Sequence, residues 1–127
     1  MRPPLALTEI GEGRGAAAEI RRREADAFRA ALPANTLLVA LDQDGAALAS
    51  ETLAASLGRW MATGRPLAFA IGGAEGLEAS LRASADSCLS LGPQTWPHML
   101  ARIMLAEQLY RAQSILAGHP YHRAARP

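Results

Sequence analysis

Apolar residues come in short blocks punctuated by glycine and proline, and the blocks alternate between unbroken runs and a helical repeat. Leu5–Ile10 reads as a short strand, and the glycines of Gly11–Gly15 make the next segment a loop. Ala16–Leu32 is rich in Ala, Glu and Arg and predicts a helix. Its thin apolar face holds Ile20, Ala27, Phe28, Ala31 and Leu32, and its polar face Arg21, Arg22, Arg23 and Glu24. Pro33 ends it by forcing its predecessor out of helical angles. Thr36–Leu41 is almost wholly apolar and suits a strand buried on both faces, with Asp42-Gln43-Asp44-Gly45 supplying a turn after it. A helix follows with Ser50 as N-cap, Glu51 at its positive end, Leu53, Leu57, Trp60 and Met61 on one face, and Gly64 as its stop. Leu67–Ile71 predicts a second buried strand, Leu77–Ala85 a short helix and Ser87–Leu91 a third short strand. After the loop Gly92–Pro97 comes the longest helix, His98–Ala117, with Leu100, Ile103, Met104, Leu109, Ile115 and Leu116 among its apolar positions. Gly118 and Pro120 stop it.

Strands alternating with helices imply parallel strands joined by right-handed crossovers. The expected class is α/β: one domain over residues 1–127, a small, mostly parallel sheet with helices on both faces. Ligands of such sheets bind beyond the carboxyl ends of the strands. Three glycine-bearing segments lie directly after apolar strands and meet that description: Leu41–Gly45, Gly72–Gly76 and Gly92–Pro97.

The chain has 127 residues, with 13 basic residues, all of them Arg, against 12 acidic ones, for a net charge of +1. Half the residues are hydrophobic and a fifth charged, which excludes a disordered tail, a collagen-like chain and a disulfide scaffold, and the near-zero net charge argues against a broad positive coat for nucleic acid. The charge is uneven: residues 98–127 carry Arg102, Arg111, Arg123 and Arg126 against Glu107 alone. They form either a local phosphate-binding face or an ordinary solvated helix surface. The single cysteine, Cys88, cannot pair within the chain and argues for a reducing compartment and against a cysteine-built metal site. No run approaches the roughly 20 apolar residues that span a bilayer, and no signal segment is visible, so a cytoplasmic protein without a membrane partner is expected.

Gly72-Gly73-Ala74-Glu75-Gly76 has neither the spacing of a dinucleotide fingerprint nor the lysine of a P-loop. It is either a tight strand-to-helix turn or a place where backbone comes close to a ligand. His98, at the start of the long helix, suits a capping or ligand role as neutral imidazole. His119-Pro120-Tyr121-His122-Arg123 lacks a third metal ligand nearby, so no metal is expected. The segment is either a solvated tail or an aromatic and guanidinium pair able to stack on a base and hold a phosphate. Trp60 reads as core, and Trp96 as pocket lining or a structural plug. No serine sits in a nucleophile elbow.

Four pieces in order resemble one family: Ile71-Gly72-Gly73-Ala74-Glu75-Gly76; Thr95-Trp96-Pro97-His98; Leu105-Ala106-Glu107-Gln108-Leu109-Tyr110-Arg111-Ala112; and His119-Pro120-Tyr121-His122-Arg123. Together they resemble the bacterial large-subunit (23S) ribosomal RNA pseudouridine N3-methyltransferases, the RlmH family of the SPOUT class, from about Leu5 onward.

The resemblance implies a C-terminal trefoil knot, a homodimer, and methyl transfer from S-adenosyl-L-methionine to N3 of a pseudouridine in ribosomal RNA. By matching positions it implies a cofactor pocket of Leu41, Gly73, Gly92, Pro93, Gln94, Thr95, Trp96 and Pro97, at the strand ends already picked out. It assigns RNA binding and catalysis to Arg111, Tyr121, His122 and Arg123. His122 is then the expected base or proton relay, with Arg123 stabilising developing negative charge and Tyr121 beside them. The family's first strand and helix are expected to be missing before Leu5, which would leave an exposed sheet edge. Two other readings stand beside the enzyme: a shortened, non-catalytic dimerisation or binding module of the same fold, and an unrelated nucleotide-binding domain.

Overall fold

The computed structural model describes residues 17–72, 77–92, 97–119 and 121. The strand expected at Leu5–Ile10 and the loop after it lie outside these residues. So do Gly73, Pro93, Gln94, Thr95, Trp96, His122 and Arg123, and with them parts of the segment that the knot would involve.

Seven elements follow in order: α1 (Ala17–Ala31), β1 (Leu37–Ala47), α2 (Ser50–Ala62), β2 (Leu67–Ala70), α3 (Ala79–Ser84), β3 (Ser87–Ser90) and α4 (His98–Leu116). The three strands form one parallel sheet in the order β2-β1-β3, as the alternating pattern predicts. Leu37–Ala40 of the central strand are all buried, which explains their unbroken apolar character. Side chains of β1 alternate between two cores. Leu37 and Val39 join Leu53 and Leu57 of α2 and Leu105, Leu109 and Ala112 of α4. Leu38 and Ala40 join Ala25 of α1 and Leu77 and Leu81, the latter on α3. Helices therefore cover both faces.

Several local expectations are corrected. Asp42–Gly45 is not a turn out of the sheet but an excursion within β1. Leu41 and Ala46 both stand opposite Leu89, so the chain bulges for four residues and resumes the same strand. Gly45 makes this possible, because an added Cβ would lie 2.8 Å from the Cys88 carbonyl carbon and the Leu89 nitrogen. β2 is half-buried rather than buried, being at one edge of the described sheet. The N-cap of α2 is Ala49; Ser50 is already helical, and its hydroxyl donates across to Gln108 Oε1 at 2.9 Å. Met61 lies on the exposed flank of α2, whereas Trp60 meets Phe69 edge to face, ring centroids 6.0 Å apart. On α1 the buried stripe runs through Glu24 and Ala25, while Ala31 is exposed. Glu24 shares a face with Phe28 at helical spacing, which the sign of its charge concealed.

The long helix α4 is apolar on two opposite sides. Ala101, Leu105, Leu109 and Ala112 face the core. Met99, Ile103 and Tyr110 form a stripe on the other side, flanked by Leu100, and all four are exposed. Of the apolar positions named on this helix, Leu100, Ile103 and Leu116 are exposed; a helix apolar all round carries no periodic signal to say which side is inside. The helix starts at His98, with Pro97 as its N-cap, so His98 is not the capping residue. It ends in a Schellman arrangement: Gly118, at φ +72°, donates to the Ile115 carbonyl, and the His119 amide donates to the Ser114 carbonyl at 2.8 Å. Beyond this reversal Tyr121 lies back against α4.

Candidate functional site

Because all three strands are parallel, their carboxyl ends share one edge of the sheet. Leu41, Ile71-Gly72 and Ser90–Gly92 arrive there together. Leu41 is half-buried and packs against the larger core cluster. Beyond β3 the chain is pinned by one hydroxyl. The Ser90 side chain donates to the Gly92 carbonyl at 2.9 Å and accepts from the Gly92 amide at 3.0 Å. Ser90 is buried, so this small ring is shielded from competing water. It holds Gly92 at φ +113°, a conformation strained for any residue with a side chain, and among the described residues nothing lies within 4 Å of where a Cβ would stand. Of the expected cofactor residues, Leu41 and Gly92 lie at this edge, and Pro97 starts α4 on the far side of the intervening loop.

A second group is built on α4. Glu107, Tyr110 and Arg111 stand at i, i+3 and i+4 on its surface, so they are neighbours. The chain reversal at Gly118 returns Tyr121 to them. The Tyr121 hydroxyl donates to Glu107 Oε1 at 3.0 Å, and Arg111 Nη2 donates to the same oxygen at 2.7 Å. The Arg111 guanidinium lies over the Tyr121 ring, 4.9 Å from its centroid. Tyr110 meets that ring edge to face at 4.8 Å. The structure therefore brings together Arg111 and Tyr121, two expected RNA-contacting residues fourteen or fewer positions from the carboxylate they share. The Glu107 hydrogen bond raises the Tyr121 phenol above its ordinary range and keeps it protonated. The same carboxylate raises Arg111 further, so its charge is permanent.

The two groups are connected. Gln108 Nε2 donates to Glu107 Oε2 at 3.1 Å, while Gln108 Oε1 accepts from Ser50 at the start of α2. Ser50 follows Ala47, which pairs with Ser90 at the strand-end edge. Hydrogen bonds thus run from Ser50, three residues beyond that pairing, through Gln108 and Glu107 to Tyr121. Ser50, Ser90, Glu107 and Gln108 were not singled out as site residues from sequence. The only signal was Glu107 being the sole acid among residues 98–127, and that has meaning only once Tyr121 is known to fold back.

Among the described residues no three His, Cys, Asp or Glu side chains are grouped to hold a metal, and no helix is long and apolar enough to cross a membrane. The arrangement offers backbone groups at a strand-end edge, plus a fixed cation and a neutral phenol on one aromatic surface: parts suited to a polar cofactor and to a polyanion. The fold class and the whole-chain sequence comparison agree on what this is. Residues 3–122 match the family model described as "Predicted SPOUT methyltransferase", and the chain belongs to that family. Among its curated relatives is a protein of Gluconacetobacter diazotrophicus named "Ribosomal RNA large subunit methyltransferase H". It is 58% identical over 125 residues, covering 98% of this chain and 82% of that protein. Relatives of the same name in Acidiphilium cryptum (57%, covering 100% of this chain and 80% of the relative) and Rhodospirillum centenum (55%, covering 95% and 81%) are equally extensive.

Proposed function

We propose that this chain is a cytoplasmic enzyme that methylates large-subunit ribosomal RNA, taking the methyl group from S-adenosylmethionine and placing it on N3 of a pseudouridine. The observation that carries the reading is the 55–58% identity to ribosomal RNA large subunit methyltransferases H over nearly the whole chain. The site geometry supports it. Gly92, at φ +113° beside the strand ends and pinned by Ser90, leaves its backbone uncovered by a side chain of its own, which fits a cofactor held by main-chain groups. Leu41, Gly92 and Pro97 would contribute to that pocket, with Gly73, Pro93, Gln94, Thr95 and Trp96 from the segments beside them.

S-adenosylmethionine supplies an electrophilic methyl group on a sulfonium. The protein's task is to hold the base in line with it, so positioning dominates the rate. Arg111 provides a permanent cation for a phosphate, and Tyr121 provides an aromatic face for a base. The Tyr121 phenol, kept protonated by Glu107, is a hydrogen-bond donor and not the base that takes the N3 proton. That role is proposed for His122, with Arg123 stabilising the anion that develops.

We assign the exposed α4 stripe of Met99, Ile103 and Tyr110 to a second copy of the chain, forming a homodimer. A two-fold pairing of helices is self-complementary and buries this stripe without a further partner. The whole reading is tested by calorimetric titration with S-adenosylmethionine and by methyl transfer to pseudouridine-containing ribosomes. Binding and transfer are expected, and His122→Ala is expected to lose transfer while keeping cofactor binding. A folded chain that binds no S-adenosylmethionine refutes the enzyme and leaves a non-catalytic module of the same fold.

A further inference from the structure

Glu107 occupies a place that no sequence pattern assigned. One of its oxygens accepts both the Arg111 guanidinium (2.7 Å) and the Tyr121 hydroxyl (3.0 Å). Its other oxygen accepts the Gln108 amide at 3.1 Å, and Gln108 is itself fixed by Ser50 at 2.9 Å. That second oxygen also accepts Arg111 Nε at 3.5 Å, so both oxygens of the carboxylate are engaged, one by Arg111 and Tyr121 and the other by Arg111 and Gln108. Resting on the proposed function, we infer that Glu107 is the positioning residue of the reaction: it fixes Arg111 and Tyr121 against each other and against the cofactor edge, so that the tail meets RNA already in place.

The chemistry requires a carboxylate there. Arg111 and Tyr121 are both donors toward this point, and only an acceptor with negative charge satisfies them together. Without it Arg111 loses the carboxylate beside it, and Tyr121 loses its hydrogen bond to α4. Chain ends that lack such ties are poorly ordered. Ordering the tail before RNA arrives removes an entropy loss from the binding step. Glu107 itself need not touch the substrate. Its removal should therefore act through Tyr121 and Arg111 and leave S-adenosylmethionine binding alone.

The test combines two readouts on the full chain. The chain has two tyrosines, so a Tyr110→Phe background isolates Tyr121 for titration by phenolate absorbance. In that background Glu107→Gln should move the Tyr121 titration to lower pH, because the carboxylate is what raises it. An unmoved titration overturns the contact. Methyl transfer to ribosomes is then compared among Glu107→Ala, Glu107→Gln, Tyr121→Phe and Glu107→Ala with Tyr121→Phe. Glu107→Ala should lower kcat/KM for RNA by about 10- to 100-fold with the S-adenosylmethionine Kd within about twofold of wild type. Glu107→Gln, which keeps an oxygen acceptor, should recover part of the loss. The double variant should be no worse than the poorer single one, since both break one unit. Wild-type activity in Glu107→Ala, or full additivity in the double variant, overturns the inference. A wild-type chain that transfers no methyl group overturns the proposed function instead.

Discussion

Gly45→Ala adds one methyl group at the point where β1 re-enters the sheet. That carbon would sit 2.8 Å from two backbone atoms of β3 and 2.9 Å from a third. Real Cβ atoms do not approach so closely, and backbone cannot swing aside as a side-chain tip can. Either β3 shifts outward or the bulge opens, and both disturb the buried Leu89. Overpacking of this kind costs about 1–3 kcal/mol, and a clash with main chain belongs at the upper end, about 2–3 kcal/mol. For a chain of this length, unfolding entropy makes each kcal/mol worth about 4 °C, so Tm should fall by about 8–12 °C. Gly58→Ala is the internal control. Its added Cβ meets only the Leu116 Cδ2 atom, at 3.3 Å, on a side chain that is exposed and can yield. Replacing a mid-helix glycine of α2 gains about 0.5–1 kcal/mol, so Tm should rise by about 2–4 °C. Thermal unfolding followed by circular dichroism reads both. The reasoning fails if the two substitutions move Tm in the same direction, or if Gly45→Ala leaves it within about 2 °C of wild type.

Three further outcomes are expected. Ser90→Ala removes both hydrogen bonds that fix Gly92 and should raise the S-adenosylmethionine Kd by about tenfold, the equivalent of about 1.4 kcal/mol; an unchanged Kd by calorimetry would count against a pocket at this edge. Ile103→Glu places a charge in the middle of the exposed α4 stripe and should convert a dimer to a monomer in sedimentation velocity without unfolding the chain; a persistent dimer would show that its interface lies elsewhere. Glu78, the N-cap of α3, is held below the ordinary carboxylate range by the Ser80 hydroxyl first, and also by the Leu81 amide and Arg29. A lowered carboxyl stabilises the fold above its unfolded value near 4.5 and loses that contribution as pH falls. The Tm gap between wild type and Glu78→Gln should therefore be present at pH 7 and shrink below pH ~4; a constant gap would exclude linkage.

The order and kind of the described elements were legible because glycine and proline punctuate them. α4 runs from His98 to Leu116, within one residue of expectation, since Pro97 and Gly118 bracket it. The bulge was not legible: Asp-Gly chemistry marks a reversal of direction, but whether the chain leaves the sheet or rejoins the same strand depends on β3, far along the sequence. The exposure of Ile103 was not legible either, because hydrophobicity alone does not say which side of a helix apolar all round faces the core. At the site, the residues drawn from the resemblance included Arg111 and Tyr121, and the structure joins them. The residues around them, Glu107, Gln108 and Ser50, and Ser90 at the strand-end edge, are ordinary polar types at ordinary positions. Their roles arise only from contacts between α2, α4, β3 and the returning tail.

The central position of β1 also governs how the protein is made. Leu37–Ala40 are made before β3, so the Leu38 amide waits for the Asp86 carboxylate, 48 residues later, before its edge of the strand is closed. During that interval the most apolar segment of the sheet has an open edge and no α4 to cover it. Domains dominated by such distant pairings assemble slowly and are most prone to association while incomplete. A nascent chain stalled before β3 would thus present an open, apolar strand edge rather than a closed sheet.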